Sequence, residues 1–240
     1  MSSSRKVVEL FYDVVSPYSW LGFEVLCRYR NVWNIELRLR PSLLGGVMKE
    51  SGNRPPAMVP NKAVYMQSDL NRLAKYFSVP VCFPENPFEV MFEKGSLNAM
   101  RFLTAVSEKE TSGDVMLERV SREIWKRIWS NDQDITLPES LSEAGLKAGL
   151  SATEVEELLQ LYKSQPVKDR LKHTTEEAVK HMVTFFICWK LFRNFTFAVC
   201  FQTVLDFLNN IYFLIAGIRL SSHCVSRRRK GRGVLWLGQV

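Results

Sequence analysis

The stretch VVELFYDVVSPYSWLGFE, residues 7–24, decides the fold. Its first part, Val7 to Tyr12, is apolar apart from one glutamate, which predicts a short buried strand. From Pro17 to about Arg30 apolar side chains recur at helical spacing and predict a helix. Ile35 to Leu39 then alternate apolar and charged side chains, which predicts a second strand. This strand–helix–strand order is typical of α/β folds.

Ser16 stands at the junction between the first strand and the first helix. Serine is a favoured N-cap residue and proline is favoured in the first helical turn, so Ser16 and Pro17 are explained by a helix start alone. A functional interpretation rests on the same place in the chain. The N-terminus of a helix presents free N–H groups and the positive end of the helix dipole, and both stabilise an anion.

The tetrapeptide SPYS, residues 16–19, occupies the position where a thioredoxin fold carries its redox CxxC. A serine has no redox chemistry, but its hydroxyl can donate a hydrogen bond to a thiolate of another molecule, for which glutathione is the natural source. A free thiol has a pKa of roughly 8.5, and a charge-assisted hydrogen bond of ~1.5–3 kcal/mol lowers that pKa by about one to two units. Ser16 is therefore predicted to stabilise a thiolate.

The middle of the chain predicts an all-helical insertion. The stretch from about Leu43 to Pro60 is rich in Gly and Pro and predicts a loop. Helical periods follow, and Ser151 with Glu154 forms a predicted capping box. We predict three parts: a thioredoxin-like part over 1–44, a helical insertion over 45–175, and an apolar and basic tail over 176–240.

The composition of the chain limits the classes of partner and cofactor that we expect. The formal net charge is +7, but the excess lies in residues 182–240 and the preceding body is close to neutral, so no nucleic-acid partner is expected. The five cysteines lack CxxC spacing, which indicates free thiols in a reducing compartment. The three histidines form no cluster with zinc-ligand spacing, and we expect no metal. Trp125 and Trp129, spaced i, i+4, are interpreted as core residues.

Several long segments resemble kappa-class glutathione transferases. The matching segments are VELFYDVVSPYSWLGFEVLCRY (8–29), LRPSLLGGVMKESGNRPP (39–56), FEKGSLNAMRFLTAV (92–106) and TTEEAVKH (174–181). The similarity covers about three quarters of the chain. It implies an α/β fold, with a thioredoxin-like domain interrupted by an all-helical insertion, as in DsbA-type oxidoreductases and 2-hydroxychromene-2-carboxylate isomerases.

The resemblance also implies roles for particular residues. Ser16 would hydrogen-bond the glutathione sulfur, and Pro17 and Tyr18 would line the same site. Asn53 matches a glutathione contact of the family, although a turn residue is the simpler interpretation. Lys62 could bind a glutathione carboxylate or could be a solvated lysine. The family further implies a homodimer, small electrophilic substrates, a role in detoxification, and a mitochondrial or peroxisomal location, although this chain shows no clear targeting signal.

The resemblance ends near His181. The family continues with a cis-proline beside the active serine and with a Ser-Asp pair that receives the γ-glutamyl group, whereas this chain has no proline after Pro166 and no such pair in its tail. We therefore expect the C-terminal half of the thioredoxin domain to be replaced or missing. We predict helix from Met182 to Ile218, disorder from Arg227 to Val240, and a marginal two-stranded sheet. Phe195 to Ile218 could reach across a membrane, but its central polar residues argue against a span.

The sequence leaves three hypotheses for the function. The first is a glutathione transferase or peroxidase of kappa type that uses Ser16. The alternative is a catalytically impaired variant that keeps the helical domain and acts only through dimerisation. Isomerisation of an aromatic glutathione adduct would use the same site.

Overall fold

A four-stranded sheet contains the strand that leads to Ser16. The computed structural model describes residues 5–110, 114–181, 188–191 and 195–198. The strands are β1 (Lys6–Tyr12), β2 (Ile35–Pro41), β3 (Cys188–Leu191) and β4 (Phe195–Ala198), in the order β2-β1-β3-β4. Strand β1 pairs in parallel with β2 and antiparallel with β3, and β4 pairs antiparallel with β3. The predicted α/β character, with β1 and β2 joined through a helix, is therefore confirmed.

Helices make up most of the described chain. They are α1 (Pro17–Tyr29), α2 (Leu44–Ser51), α3 (Pro60–Phe77), α4 (Leu97–Lys109), α5 (Val115–Ser130), α6 (Pro138–Ala148), α7 (Ala152–Leu161) and α8 (Gln165–Lys180). A 3₁₀ turn at Pro56–Met58 and a π-helix at Glu89–Lys94 flank α3. The predicted strand–helix–strand opening is confirmed, and so is the capping box, because the side chains of Ser151 and Glu154 each bind the other's backbone N–H. The division at 44/45 and 175/176 stays a prediction.

The core lies where α1, α4 and α5 meet the sheet. Helix α4 contacts α5, α7, α8 and β2, and α5 contacts α1. The largest fully buried side chains are those of Trp20, Trp125 and Trp129, so the prediction that the two tryptophans of α5 are core residues is confirmed. Burying aromatic side chains of this size supplies a large share of the hydrophobic stabilisation of a domain.

The predicted loop between Leu43 and Pro60 is wrong over residues 44–51, which form α2. Two glycines lower the intrinsic helix propensity here, but tertiary contacts outweigh them. Val47 is buried against Phe11 and Ala178. A Cβ on Gly46 would lie 2.9 Å from the Thr175 methyl group, so glycine is what allows α2 to approach α8. Local composition carried no signal of either contact.

The predicted helix from Met182 to Ile218 is wrong at the eight residues that form β3 and β4, and the sheet has four strands instead of the expected two. Val8 to Phe11 of β1 pair with Leu191 to Cys188, so this edge of β1 is covered. An uncovered edge would leave backbone N–H and C=O groups unpaired, which explains why a strand forms here. The local sequence around Trp189 is rich in aromatic and β-branched residues, which favour strands.

The remainder of the predicted tail lies outside the described residues, including Arg227 to Val240 and most of the segment from Phe195 to Ile218. The described residues all belong to one compact unit. Across the described ranges, no helix combines the length and apolar character that a membrane crossing requires.

Candidate functional site

Ser16 caps the helix that follows β1. Its Oγ accepts a hydrogen bond from the backbone N–H of Ser19 at 3.1 Å, and its own N–H donates to the Asp13 carbonyl at 3.1 Å. The residue is 1 % exposed. A serine hydroxyl has two acceptor positions and one proton, so accepting from Ser19 leaves the proton for donation. The geometry therefore confirms the N-cap interpretation and is compatible with the functional one.

Two tryptophans of α5 hold the loop that carries Ser16. The indole N–H of Trp125 donates to the Ser16 carbonyl at 3.3 Å, and that of Trp129 donates to the Val14 carbonyl at 3.1 Å. Both rings are fully buried. The sequence identified these residues as core but did not identify their role at the site. The one available signal was chemical, since a buried indole N–H usually needs an acceptor.

Asp13 joins three segments around the same loop. Its side chain is buried at 2 % exposure. One carboxylate oxygen accepts from the Val15 N–H at 3.0 Å, and the other accepts from the Leu44 N–H at 2.8 Å and the Ser96 hydroxyl at 2.9 Å. Asp13 therefore connects the end of β1 to the first residue of α2 and to the residue that precedes α4. In the sequence, Asp13 stands out only as the polar residue that follows the apolar run Val7 to Tyr12.

Burial raises the pKa of the Asp13 carboxyl above its ordinary value, although hydrogen bonds from Val15, Leu44 and Ser96 act in the opposite direction. A carboxyl whose pKa is higher in the folded state holds its proton longer when folded than when unfolded. The folded state then loses stability as the pH rises from the ordinary aspartate range, about 3.9, through the raised value. Asp13 is thus a buried acid whose ionisation opposes folding.

Asp13→Asn is expected to show this directly. Residue 13 of the variant cannot ionise. As the pH rises above about 4, the free energy of unfolding of the wild type should therefore fall relative to that of the variant. A constant penalty of roughly 1–3 kcal/mol is expected on top, because asparagine has one acceptor oxygen where Asp13 uses two, so its NH2 group must face either the Val15 N–H or the Leu44 and Ser96 donors. Urea titrations at several pH values measure both effects.

A matched control is Asp169→Asn, which removes a charge from an exposed residue of α8 that binds Gln165. Its difference from the wild type is expected to stay small at every pH. A difference between Asp13→Asn and wild type that does not change with pH would contradict the assignment.

An apolar cleft of about 400 Å³ is lined by Val15 and Pro17, the residues immediately before and after Ser16 in the chain. The remaining walls come from α2, the 3₁₀ turn, α3, the π-helix and α4. Its larger side chains include Met48, Met58, Met66, Met91, Phe92 and Leu97. Among the described residues that line it, only Lys94 and Ser96 have polar side chains. A cleft of this size and composition suits a small, largely apolar ligand.

The predicted glutathione residues do not all meet in this cleft. Pro17 lines it, whereas Ser16, Tyr18, Asn53 and Lys62 are absent from its lining. The Tyr18 hydroxyl donates to Asp69 on α3 at 2.9 Å. The pKa of this hydroxyl is raised, mainly by burial and secondly by the Asp69 carboxylate. Asn53 Oδ1 accepts from the N–H of Arg54 at 2.9 Å, as a turn residue does. Lys62 is exposed near the start of α3.

Two other kinds of site, a reactive cysteine and a metal centre, find less support among the described residues. Burial raises the pKa of the Cys27 thiol, which disfavours the reactive thiolate. Within the part of the chain that the structure describes, no three His, Cys, Asp or Glu side chains are arranged to hold a metal ion. The junction at Ser16 thus remains the strongest candidate site.

Comparison with known proteins agrees with this architecture. A family model described as a DSBA-like thioredoxin domain matches residues 7–184. The human protein named glutathione S-transferase kappa 1 is 53% identical over 181 residues, which are 75% of this chain and 79% of that protein. The Caenorhabditis elegans protein named glutathione s-transferase kappa 2 is 32% identical over 73% of this chain and 76% of that protein.

Solved structures share the fold at low sequence identity. A 2-hydroxychromene-2-carboxylate isomerase superposes with a TM-score of 0.63 at 18% identity, covering 89% of this chain and 99% of that one. The cytosolic disulfide reductase DsbM from Pseudomonas aeruginosa, in a structure with GSH, gives a TM-score of 0.59 at 14% identity, over 89% of this chain and all of that one (100%). The family match and the close relatives together show that this chain is a kappa-class member of the DsbA-like thioredoxin family.

Proposed function

We propose that this protein is a glutathione transferase of kappa type in which the Ser16 hydroxyl stabilises the glutathione thiolate. The observation that carries the proposal is the position of Ser16, which caps α1 and is flanked in the chain by two residues of an apolar cleft. The close relatives named glutathione S-transferase kappa 1 support glutathione as co-substrate. The structure of DsbM with GSH, which shares this fold, also supports a glutathione site.

The proposed chemistry needs few groups. The Ser16 hydroxyl donates a hydrogen bond to the sulfur, and the thiol proton is lost to solvent. The amide groups at the N-terminus of α1 add a favourable potential for the negative charge. The thiolate then attacks an electrophilic carbon held in the apolar cleft, so that a C–S bond forms as the bond to the leaving group breaks. With a peroxide, two glutathione molecules are oxidised to the disulfide while the peroxide is reduced to alcohol and water.

The purified full-length chain is expected to conjugate glutathione to a small aryl halide faster than the reaction proceeds without protein. Absorbance of the thioether product measures the rate. A rate equal to the uncatalysed one at every glutathione concentration, with correctly folded protein, would contradict the proposed function.

Tyr18, Asn53 and Lys62 remain proposed glutathione contacts. Asn53 lies two residues before Pro55, which lines the cleft, so its loop is close enough in the chain to contribute. If Lys62 binds a glutathione carboxylate, Lys62→Met should raise the KM for glutathione several-fold with little change in kcat, because the lost contact is present before and during the reaction.

One observation favours the alternative of a catalytically impaired variant. The chain has no proline after Pro166, so the proline expected beside Ser16 from the family resemblance is absent. Calorimetric titration with glutathione separates the two hypotheses, because the transferase should bind in the submillimolar range and the impaired variant should not. A homodimer is proposed for either case, and sedimentation measures it.

The family resemblance also suggests a mitochondrial or peroxisomal location. Imaging of tagged protein in cells tests this proposal, and a purely cytosolic signal would contradict it.

A further inference from the structure

A second cavity lies next to the cleft beside Ser16. Its volume is about 390 Å³, comparable to the first cavity. Four residues line both cavities, namely Ala57, Met66, Met91 and Phe92. The two cavities are therefore neighbours separated by side chains, and a ligand that displaces those side chains could occupy both.

The second cavity is apolar on the side that faces the first. Its own walls include Ala63 and Val64 of α3 together with Phe83 and Phe88 from the segment before α4. Val64 is 71 % exposed and Phe88 is 54 % exposed, so apolar surface here is left in contact with water. Burial of such surface by a ligand is favourable at about 25 cal/mol per Å².

The shared wall is suited to movement. Two of its residues are methionines, whose unbranched side chains adapt to differently shaped partners. Met91 and Phe92 belong to the π-helix Glu89–Lys94, in which no residue is buried. Helices of this type occur frequently at functional sites. Met91 and Phe92 thus form an adaptable, weakly packed part of the wall between the cavities, whereas Met66 is buried.

We infer that the second cavity is a subsite for an unbranched alkyl chain on the electrophilic substrate. The inference rests on the proposed function, because it places the reacting carbon in the first cavity beside Ser16. Polar lining is confined to Gln67, Glu85 and Asn86, so the subsite offers little to a charged or strongly polar tail. The preferred acceptor substrates are accordingly long-chain alkyl electrophiles, and compact aryl compounds fill only the first cavity.

Calorimetric titration of the full-length protein with S-methyl-, S-hexyl-, S-octyl- and S-decylglutathione tests the inference without requiring turnover. In these probes the sulfur is already alkylated, as in the reaction product. Affinity is expected to rise by up to about fourfold per added methylene, the factor that ~0.8 kcal/mol gives, and to keep rising beyond the hexyl derivative.

Two variants narrow the second cavity only. Ala63→Phe and Gln67→Phe each place a ring at a residue that lines the second cavity and not the first. Both are expected to reduce the affinity for the decyl derivative at least tenfold and to leave S-methylglutathione binding unchanged. Asn71→Phe adds the same ring to an exposed position of α3 and should change neither.

The outcomes distinguish this inference from the proposed function. If S-methylglutathione binds and longer chains bind no better, or if both cavity variants bind the decyl derivative as the wild type does, the alkyl subsite is wrong and the glutathione site stands. If no derivative binds, the glutathione site fails and the subsite fails with it.

Discussion

Ser16→Ala is expected to lower kcat/KM for conjugation at pH 7 by about 10- to 150-fold. The serine hydroxyl is proposed to donate a charge-assisted hydrogen bond to the glutathione thiolate, and bonds of this kind contribute roughly 1.5–3 kcal/mol. Its loss removes stabilisation from the charged form alone, so the pKa of the bound thiol should rise by about one to two units. The midpoint of the pH–rate profile moves upward by the same amount, and activity recovers at high pH.

Ser121→Ala supplies the matched control for this substitution. Ser121 is also fully buried, but its hydroxyl lies 2.7 Å from the Tyr12 hydroxyl, and Ser121 belongs to α5 and caps no helix start. The control should cost about 1–3 kcal/mol of stability, because it leaves a buried phenol without that partner, and should not move the pH profile. A Ser16→Ala enzyme with unchanged rate and unchanged profile would show that Ser16 only caps α1.

Features that depend on neighbouring residues in the chain were accessible to sequence reasoning. Ser16 and Pro17 specify a helix start through the local preferences of an N-cap and a first turn, and the Ser151 capping box closes over three residues. The alternating residues of β2 likewise identify a half-buried strand. In each case the physical cause acts within a few residues, so the sequence pattern is sufficient.

Features that depend on distant partners were not accessible. The role of Asp13 depends on hydrogen bonds from Leu44, 31 residues away, and from Ser96, 83 residues away. Helix α2 forms in a glycine-rich segment because Val47 has a buried place against Phe11 and Ala178. Such contacts exist only once the fold is assembled, and a single sequence gives no measure of them.

The strands β3 and β4 illustrate the same limit in a different way. Long apolar runs do not distinguish a buried helix from a buried strand by periodicity alone. The absence of Gly and Pro between Met182 and Ala216 favoured helix, whereas the open hydrogen-bonding groups of β1 between Val8 and Phe11 favour a strand. Strand β1 needs a hydrogen-bonding partner because of its place in the sheet, and the sequence of residues 188–198 carries no sign of that need.

Trp125→Ala is expected to lower the free energy of unfolding by about 3–5 kcal/mol, the range for deleting a fully buried aromatic side chain. The ring packs against Tyr12, Trp20 and Phe23, with ring centroids 5.2, 6.4 and 4.8 Å away. Denaturant titration followed by circular dichroism measures the loss. Trp33→Ala is the control, because Trp33 is only partly buried and stacks on the exposed Tyr29, so its removal should cost much less.

Trp125→Phe separates packing from positioning at the same residue. Phenylalanine keeps most of the buried ring but cannot donate to the Ser16 carbonyl, which Trp125 reaches at 3.3 Å. Stability should fall by only about 1–3 kcal/mol, because a buried carbonyl loses a donor. If the indole also fixes the Ser16 loop, kcat should fall while the KM for glutathione stays within about twofold, since misplacement of a reacting group affects the transition state most. Equal activity of Trp125→Phe and wild type would show that Trp125 acts on the core alone, and that the other bonds of residues 13–16 suffice to hold Ser16 in place.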